Sequence, residues 1–201
     1  MSELQNSISA WKLDTAALAG AETERGRNMT TASGLPFFPH TPHLRDIRIS
    51  DIAAHLSRLC RFNGALRDDV EIYSVAQHCV LVSQHVPPQY AFEGLMHDAA
   101  EAYLGDRVKP LKLMMPGYDE FEDRIDRVIR AKFGLSLVKS QAVKDADYRA
   151  VLTERRDVLP HNLKVDWGTP RAEPWPERIY PLLPSTARKV FLQRFKELYC
   201  G

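Results

Sequence analysis

Gly94-Leu95-Met96-His97-Asp98-Ala99-Ala100-Glu101-Ala102-Tyr103-Leu104-Gly105-Asp106 is the stretch on which the reading of this chain turns. Its apolar residues recur at helical spacing, and Gly105 is a C-terminal stop. His97 and Asp98 are neighbours in sequence. On a helix their side chains point about 100° apart, so both reach one ion only if it lies beside the helix edge. Glu101 follows His97 by one turn and shares its face. A carboxylate there can hold or deprotonate a water.

Working outward, Ser74 can cap a helix that carries His78 and runs to Val86. Pro87-Pro88 stop it and fold the next helix back antiparallel. Asp147 lies in a later helix, in Val143-Lys144-Asp145-Ala146-Asp147. Asp145 competes with it, but two residues apart the pair sit on different faces. His78, His97, Asp98 and Asp147 are thus two imidazoles and two carboxylates from three helices. That mixed set suits a divalent ion that activates water on a phosphate better than a closed structural zinc site. His55, His85 and His161 have no such context and read as surface or packing residues.

The pattern predicts helices over about 51–62, 74–86, 89–104, 118–133, 139–158 and 185–199. The fold class is therefore all-α, a bundle of about six helices. Ser50 or Asp51 is the expected cap of the first and Ser185 of the last. Asp46-Ile47-Arg48-Ile49 alternates as a short strand or extended segment would. Residues 1–30 form an N-terminal arm, either disordered or a loose amphipathic helix around Trp11 to Leu18. Residues 31–201 read as a single domain. Within it, 159–184 holds six prolines and two tryptophans, as an ordered wrap or a lid would.

Composition narrows the class further. The 27 basic and 26 acidic residues leave a net charge of +1, so no basic field argues for nucleic acid or membrane surfaces. The three cysteines are widely spaced without a CxxC, which favours a reducing cytoplasm over a disulfide framework. No apolar run approaches the ~20 residues of a membrane span, and the N-terminus does not read as a signal peptide.

These residues resemble the HD-domain metal-dependent phosphohydrolases over about 45–158. The match is nearest the small prokaryotic and phage branch of 5′-deoxynucleotidases and dATP/dNTP triphosphohydrolases. Asp51–Gly64, Tyr73–His78, Met96–Tyr103 and Lys144–Asp147 carry it. The resemblance implies an HD-type helical bundle that holds one divalent ion (Mn, Co, Fe, Zn or Mg) on His78, His97, Asp98 and Asp147. Histidines for a second ion are not evident. It implies that metal-activated water attacks the phosphorus of a deoxynucleoside mono- or triphosphate. Arg61 would contact phosphate, Phe62 the sugar and base, Glu101 the attacking water and Asp106 the sugar. Lys109 and Lys112, in the following loop, would grip further phosphates or be plain surface charges. Relatives of this kind form homodimers or larger rings. The rival readings are a weakly catalytic nucleotide-binding regulatory module and a hydrolase of another phosphoester.

Overall fold

The computed structural model describes residues 25–161 and 172–199. The apolar patch Trp11 to Leu18 and Trp167 lie outside the described residues. Helices dominate, with one two-stranded ribbon. In chain order the elements are β1 (Met29–Thr30), β2 (Pro36–Phe37), α1 (Ile49–Leu56), α2 (Val75–His85), α3 (Ala91–Met96) and α4 (Glu101–Leu104). Then come α5 (Lys109–Lys112), α6 (Tyr118–Phe133), α7 (Gln141–Asp157) and α8 (Pro184–Leu198). The all-α class holds.

Local chemistry accounts for several helix ends. Ser74 caps α2 by accepting the Gln77 N–H, and Ser140 caps α7 by accepting the Val143 N–H. Gly134, at φ 70°, ends α6 in the left-handed conformation that favours glycine. Helix α8 departs from expectation: Pro184 opens it, and Ser185 lies inside its first turn. Proline at the first helical position gives up an N–H that has no helical partner anyway.

The region ahead of the site departs more. Leu44–Asp46 is a 3-10 turn and Ile49 already begins α1, so of the two expected alternatives the extended segment holds, confined to Ile47 and Arg48, and no strand forms there. Ser50 and Asp51 are helical and cap nothing. Asp51 instead accepts the Ser33 N–H and hydroxyl, docking the β1–β2 ribbon onto α1. Helix α1 also stops at Leu56 rather than Phe62. Leu59 accepts the Val75 N–H and Cys60 pairs with Ser74, so these backbone groups serve a neighbouring segment. The chain then turns through Arg61–Gly64 with Phe62 at φ 57° and Asn63 at φ 52°. A phenylalanine in that region is a strained exception. The turn brings Arg61 into the interior, where it is only 7% exposed.

The expected 89–104 helix is two short helices joined by a tighter turn. Ala99, Glu101, Ala102 and Tyr103 bond carbonyls three residues back. His97 and Asp98 sit in that turn. The expected loop after Gly105 contains the short α5.

Helices α1, α2, α3, α4, α6 and α8 share the main core. Ile52, Leu95, Met96, Ile125, Ile129 and Phe191 are fully buried there, and Phe37 stacks on Tyr103 at 4.0 Å. At Gly94, α3 packs tightly on α2. A Cβ there would lie 3.1 Å from the Ser83 Cα. That approach places His97 beside His78.

The described part of the proline-rich segment is an ordered wrap. Gln77 donates to the Tyr180 carbonyl and accepts from Leu182 N–H, and Thr153 accepts from Trp175 N–H. Asp157 accepts from Arg156, from Arg178 at 2.6 Å and from Ile179 N–H at 2.9 Å. Burial pushes the Asp157 carboxyl up, but these donors hold it down at about 2. The folded value lies below the unfolded ~3.9, so its stabilisation is present above that pH and is lost as pH falls through about 2. The stability gap between wild type and Asp157→Asn should be constant from pH 7 to 5 and narrow from pH 4 downward. Urea midpoints across that range measure it; a pH-independent gap counts against the assignment.

Candidate metal centre

His78 is fully buried on α2, His97 and Asp98 come from the turn between α3 and α4, and Asp147 comes from α7. The structure brings all four together. His78 Nε2 lies 3.2 Å from His97 Nε2, 3.5 Å from Asp98 Oδ2 and 3.1 Å from Asp147 Oδ1. His97 Nε2 lies 3.2 Å from Asp98 Oδ2 and 3.8 Å from Asp147 Oδ1. Atoms about 2.1 Å from one ion stand roughly 3.0–3.4 Å apart at octahedral to tetrahedral angles. The observed distances, 3.1 to 3.8 Å, sit at or slightly above that range. Asp145 is exposed and accepts from Gln141, so Asp147 is the inward carboxylate.

Hydrogen bonding fixes which nitrogen faces the cluster. His97 Nδ1 is 2.8 Å from the Gly94 carbonyl, which can only accept, so Nδ1 donates. His78 Nδ1 is 2.6 Å from Glu154 Oε1. Burial pushes the Glu154 carboxyl up, but Arg61 and His78 hold it below its ordinary value, so it is an acceptor. With Nδ1 carrying the proton on each ring, both neutral imidazoles aim the Nε2 lone pair at one point. Asp98 Oδ2 and Asp147 Oδ1 each lie within 4 Å of both Nε2 atoms, and such an electron-rich concavity fits a divalent cation. Burial disfavours charge on both rings, yet the adjacent carboxylates raise their proton affinity. A second grouping, Cys79 with His97 and Asp98, is a poorer host. Burial pushes the Cys79 thiol up to about 11, so it is a neutral thiol near pH 7.

The flanking residues fall into two groups. Arg61, Asp106 and Glu101 adjoin the cluster. Arg61 Nη1 is 3.7 Å from Asp98 Oδ2 and 4.0 Å from Asp106 Oδ2, while its Nε and Nη2 both donate to Glu154 Oε2. Burial, with the charges of Asp98 and Asp106, pushes the Glu101 carboxyl well above the usual carboxylate range. Glu101 Oε2 is buried with no hydrogen-bond partner among the described residues. Phe62 lies against the Arg61 guanidinium at 5.2 Å. The lysines are less engaged. Lys112 donates to Glu122 at 2.8 Å and stands 3.7 Å from Glu101, while Lys109 is exposed.

The residue that sequence reasoning missed is Glu154. It is fully buried and contacts both His78 and Arg61. Its available signal was its spacing of seven from Asp147, which puts both on one face of α7 two turns apart. His55, His85 and His161 stay outside the site, as expected. His55 links Ala32 N–H to the Ala102 carbonyl, His85 stacks on Trp175 at 3.9 Å, and His161 meets Arg67.

Fold and cluster together define an all-α protein with a partly buried His–Asp cluster that could hold a metal ion. The chain belongs to the YfdR family. YfdR of Escherichia coli K12, an uncharacterized protein, is 46% identical over 171 residues, which is 84% of this chain and 93% of YfdR. An uncharacterized protein of Rhodobacter capsulatus is 34% identical over 128 residues, 60% of this chain and 64% of its own. No family model matches the chain. Among the described residues, no helix is long and apolar enough to cross a membrane.

Proposed function

We propose that this chain is an HD-type phosphohydrolase that uses one divalent metal ion and acts on deoxynucleotides. The observation that carries the reading is the convergence of His78, His97, Asp98 and Asp147 on one point. These four side chains would hold the ion. When bound, it supplies Lewis-acid polarisation of phosphoryl oxygen and water. Arg61 has one edge committed to Glu154, while Nη1 is beyond hydrogen-bond reach of both nearby aspartates. That N–H is a buried donor suited to a phosphate oxygen and to the charge that develops on it. Glu101 Oε2, with its high proton affinity, takes the proton from the attacking water. Asp106, beside Arg61, faces the sugar, and Phe62 the sugar or base. Lys112 is engaged by Glu122, which favours one phosphate over three. A catalytically weak nucleotide-sensing module is the rival. The proposed setting is cytoplasmic, with assembly as a homodimer or larger.

The test is phosphate, pyrophosphate and triphosphate release from deoxy- and ribonucleotides of one to three phosphates, with Mn²⁺ or Co²⁺ against EDTA. Metal-dependent release from one or a few deoxynucleotides is expected. Metal binding with no release from any nucleotide would favour the sensing module or another phosphoester. In the same assay Glu101→Ala should keep Mn²⁺ affinity within a few-fold. It should lower turnover by about 10²–10⁴, the usual worth of a positioned general base. Loss of Mn²⁺ instead would make Glu101 a ligand.

A further inference from the structure

We propose that Glu154 is a positioning residue that joins the metal ligand His78 and the arginine Arg61 into one unit. Its oxygens are divided between them. Oε1 accepts the His78 Nδ1 proton at 2.6 Å, and Oε2 accepts Arg61 Nε–H and Nη2–H at 3.2 and 3.1 Å. All three side chains are buried, Glu154 and His78 completely. Helix α7 thus carries one ligand, Asp147, and two turns later the group that orients another. The His78 half stands on geometry alone; the Arg61 half rests on the proposed function.

Only a carboxylate can serve both ends. A glutamine in the same place has one acceptor oxygen and one donor NH₂. With its NH₂ toward His78, the ring must accept at Nδ1. The proton then moves to Nε2, and the lone pair no longer faces the cluster. With its NH₂ toward Arg61, N–H faces N–H and the guanidinium swings away. Either orientation breaks one end of the unit. Residues that orient a metal-bound histidine in this way typically affect metal affinity 10–100-fold.

The experiment uses the full chain without nucleotide. Calorimetry measures Mn²⁺ affinity for wild type and Glu154→Gln, with circular dichroism to establish folding. Inorganic phosphate is then titrated into each protein at saturating Mn²⁺. The expected result is 10–100-fold weaker Mn²⁺ binding, or at least 10-fold weaker phosphate binding, in folded Glu154→Gln. A folded variant with wild-type affinity for both overturns the proposal. A second measurement needs no variant: ¹⁵N–¹H spectra of Zn²⁺-loaded wild type should place the His78 proton on Nδ1. A proton on Nε2, or coordination through Nδ1, overturns the proposal even if Glu154→Gln does not fold. Failure of the proposed function reads differently: Mn²⁺ binds and responds to Glu154→Gln, yet no nucleotide is hydrolysed. A wild type that binds no divalent ion overturns both.

Discussion

Asp98→Ala is expected to abolish divalent-ion binding and, with it, all metal-dependent phosphate release. Asp98 Oδ2 approaches both Nε2 atoms, at 3.5 and 3.2 Å, and also the Arg61 guanidinium at 3.7 Å. Removing it deletes one of the two carboxylate charges that would offset a dication there. Support residues behind a ligand already account for about 10–100-fold in affinity; a ligand should exceed that. Calorimetry with Mn²⁺ and the release assay, run on one folded preparation, measure both effects. The fold should survive, because deleting Asp98 also relieves the repulsion that raises the proton affinity of Glu101 and Asp106. Wild-type Mn²⁺ affinity in the variant would remove Asp98 from the ligand set.

Arg130→Ala should have the largest effect on stability, at a place away from the metal cluster. Arg130 lies on α6 and is almost wholly buried. It donates to Asp126 at 2.9 Å, to Glu93 at 3.3 Å and to the Ser136 carbonyl at 2.6 Å. Glu93 also accepts the Ser140 N–H at the start of α7, so the network ties α3, α6 and α7 together. Removing Arg130 leaves two buried carboxylates without their shared cation, Glu93 keeping only the Ser140 N–H and Asp126 only Lys139. Breaking a buried ion pair from one side costs about 3–5 kcal/mol. For a chain of this size that lowers the melting temperature by roughly 10 °C. Lys139→Ala, at the half-exposed end of the network, should cost no more than about 1 kcal/mol. Thermal and urea unfolding measure both. A loss below 1 kcal/mol for Arg130→Ala would mean that the carboxylates find other partners or take up protons.

The sequence by itself determined the helical class, the helices around 74–86, 118–133 and 139–158, and the candidate ligands. Those rest on local physics. Apolar periodicity, Ser74 as a cap, and Gly134 and Pro87-Pro88 as stops all act within a few residues. The order His78, His97-Asp98, Asp147 is likewise read along the chain. Tertiary structure alone decided the rest. Cys60 and Ser74 pair across a gap that local propensity does not see, which cuts α1 short and brings Arg61 inward. His97 and Asp98 lie in a tight turn between α3 and α4, and the close contact of α3 with α2 at Gly94 sets that turn beside His78. Glu154 is the plainest case. On its own helix it is one more charged residue near a C-terminus. What makes it part of the site is burial between His78 and Arg61, residues 76 and 93 positions away. A buried carboxylate is tolerated only where donors meet it from several directions, and those directions exist only once the helices have packed.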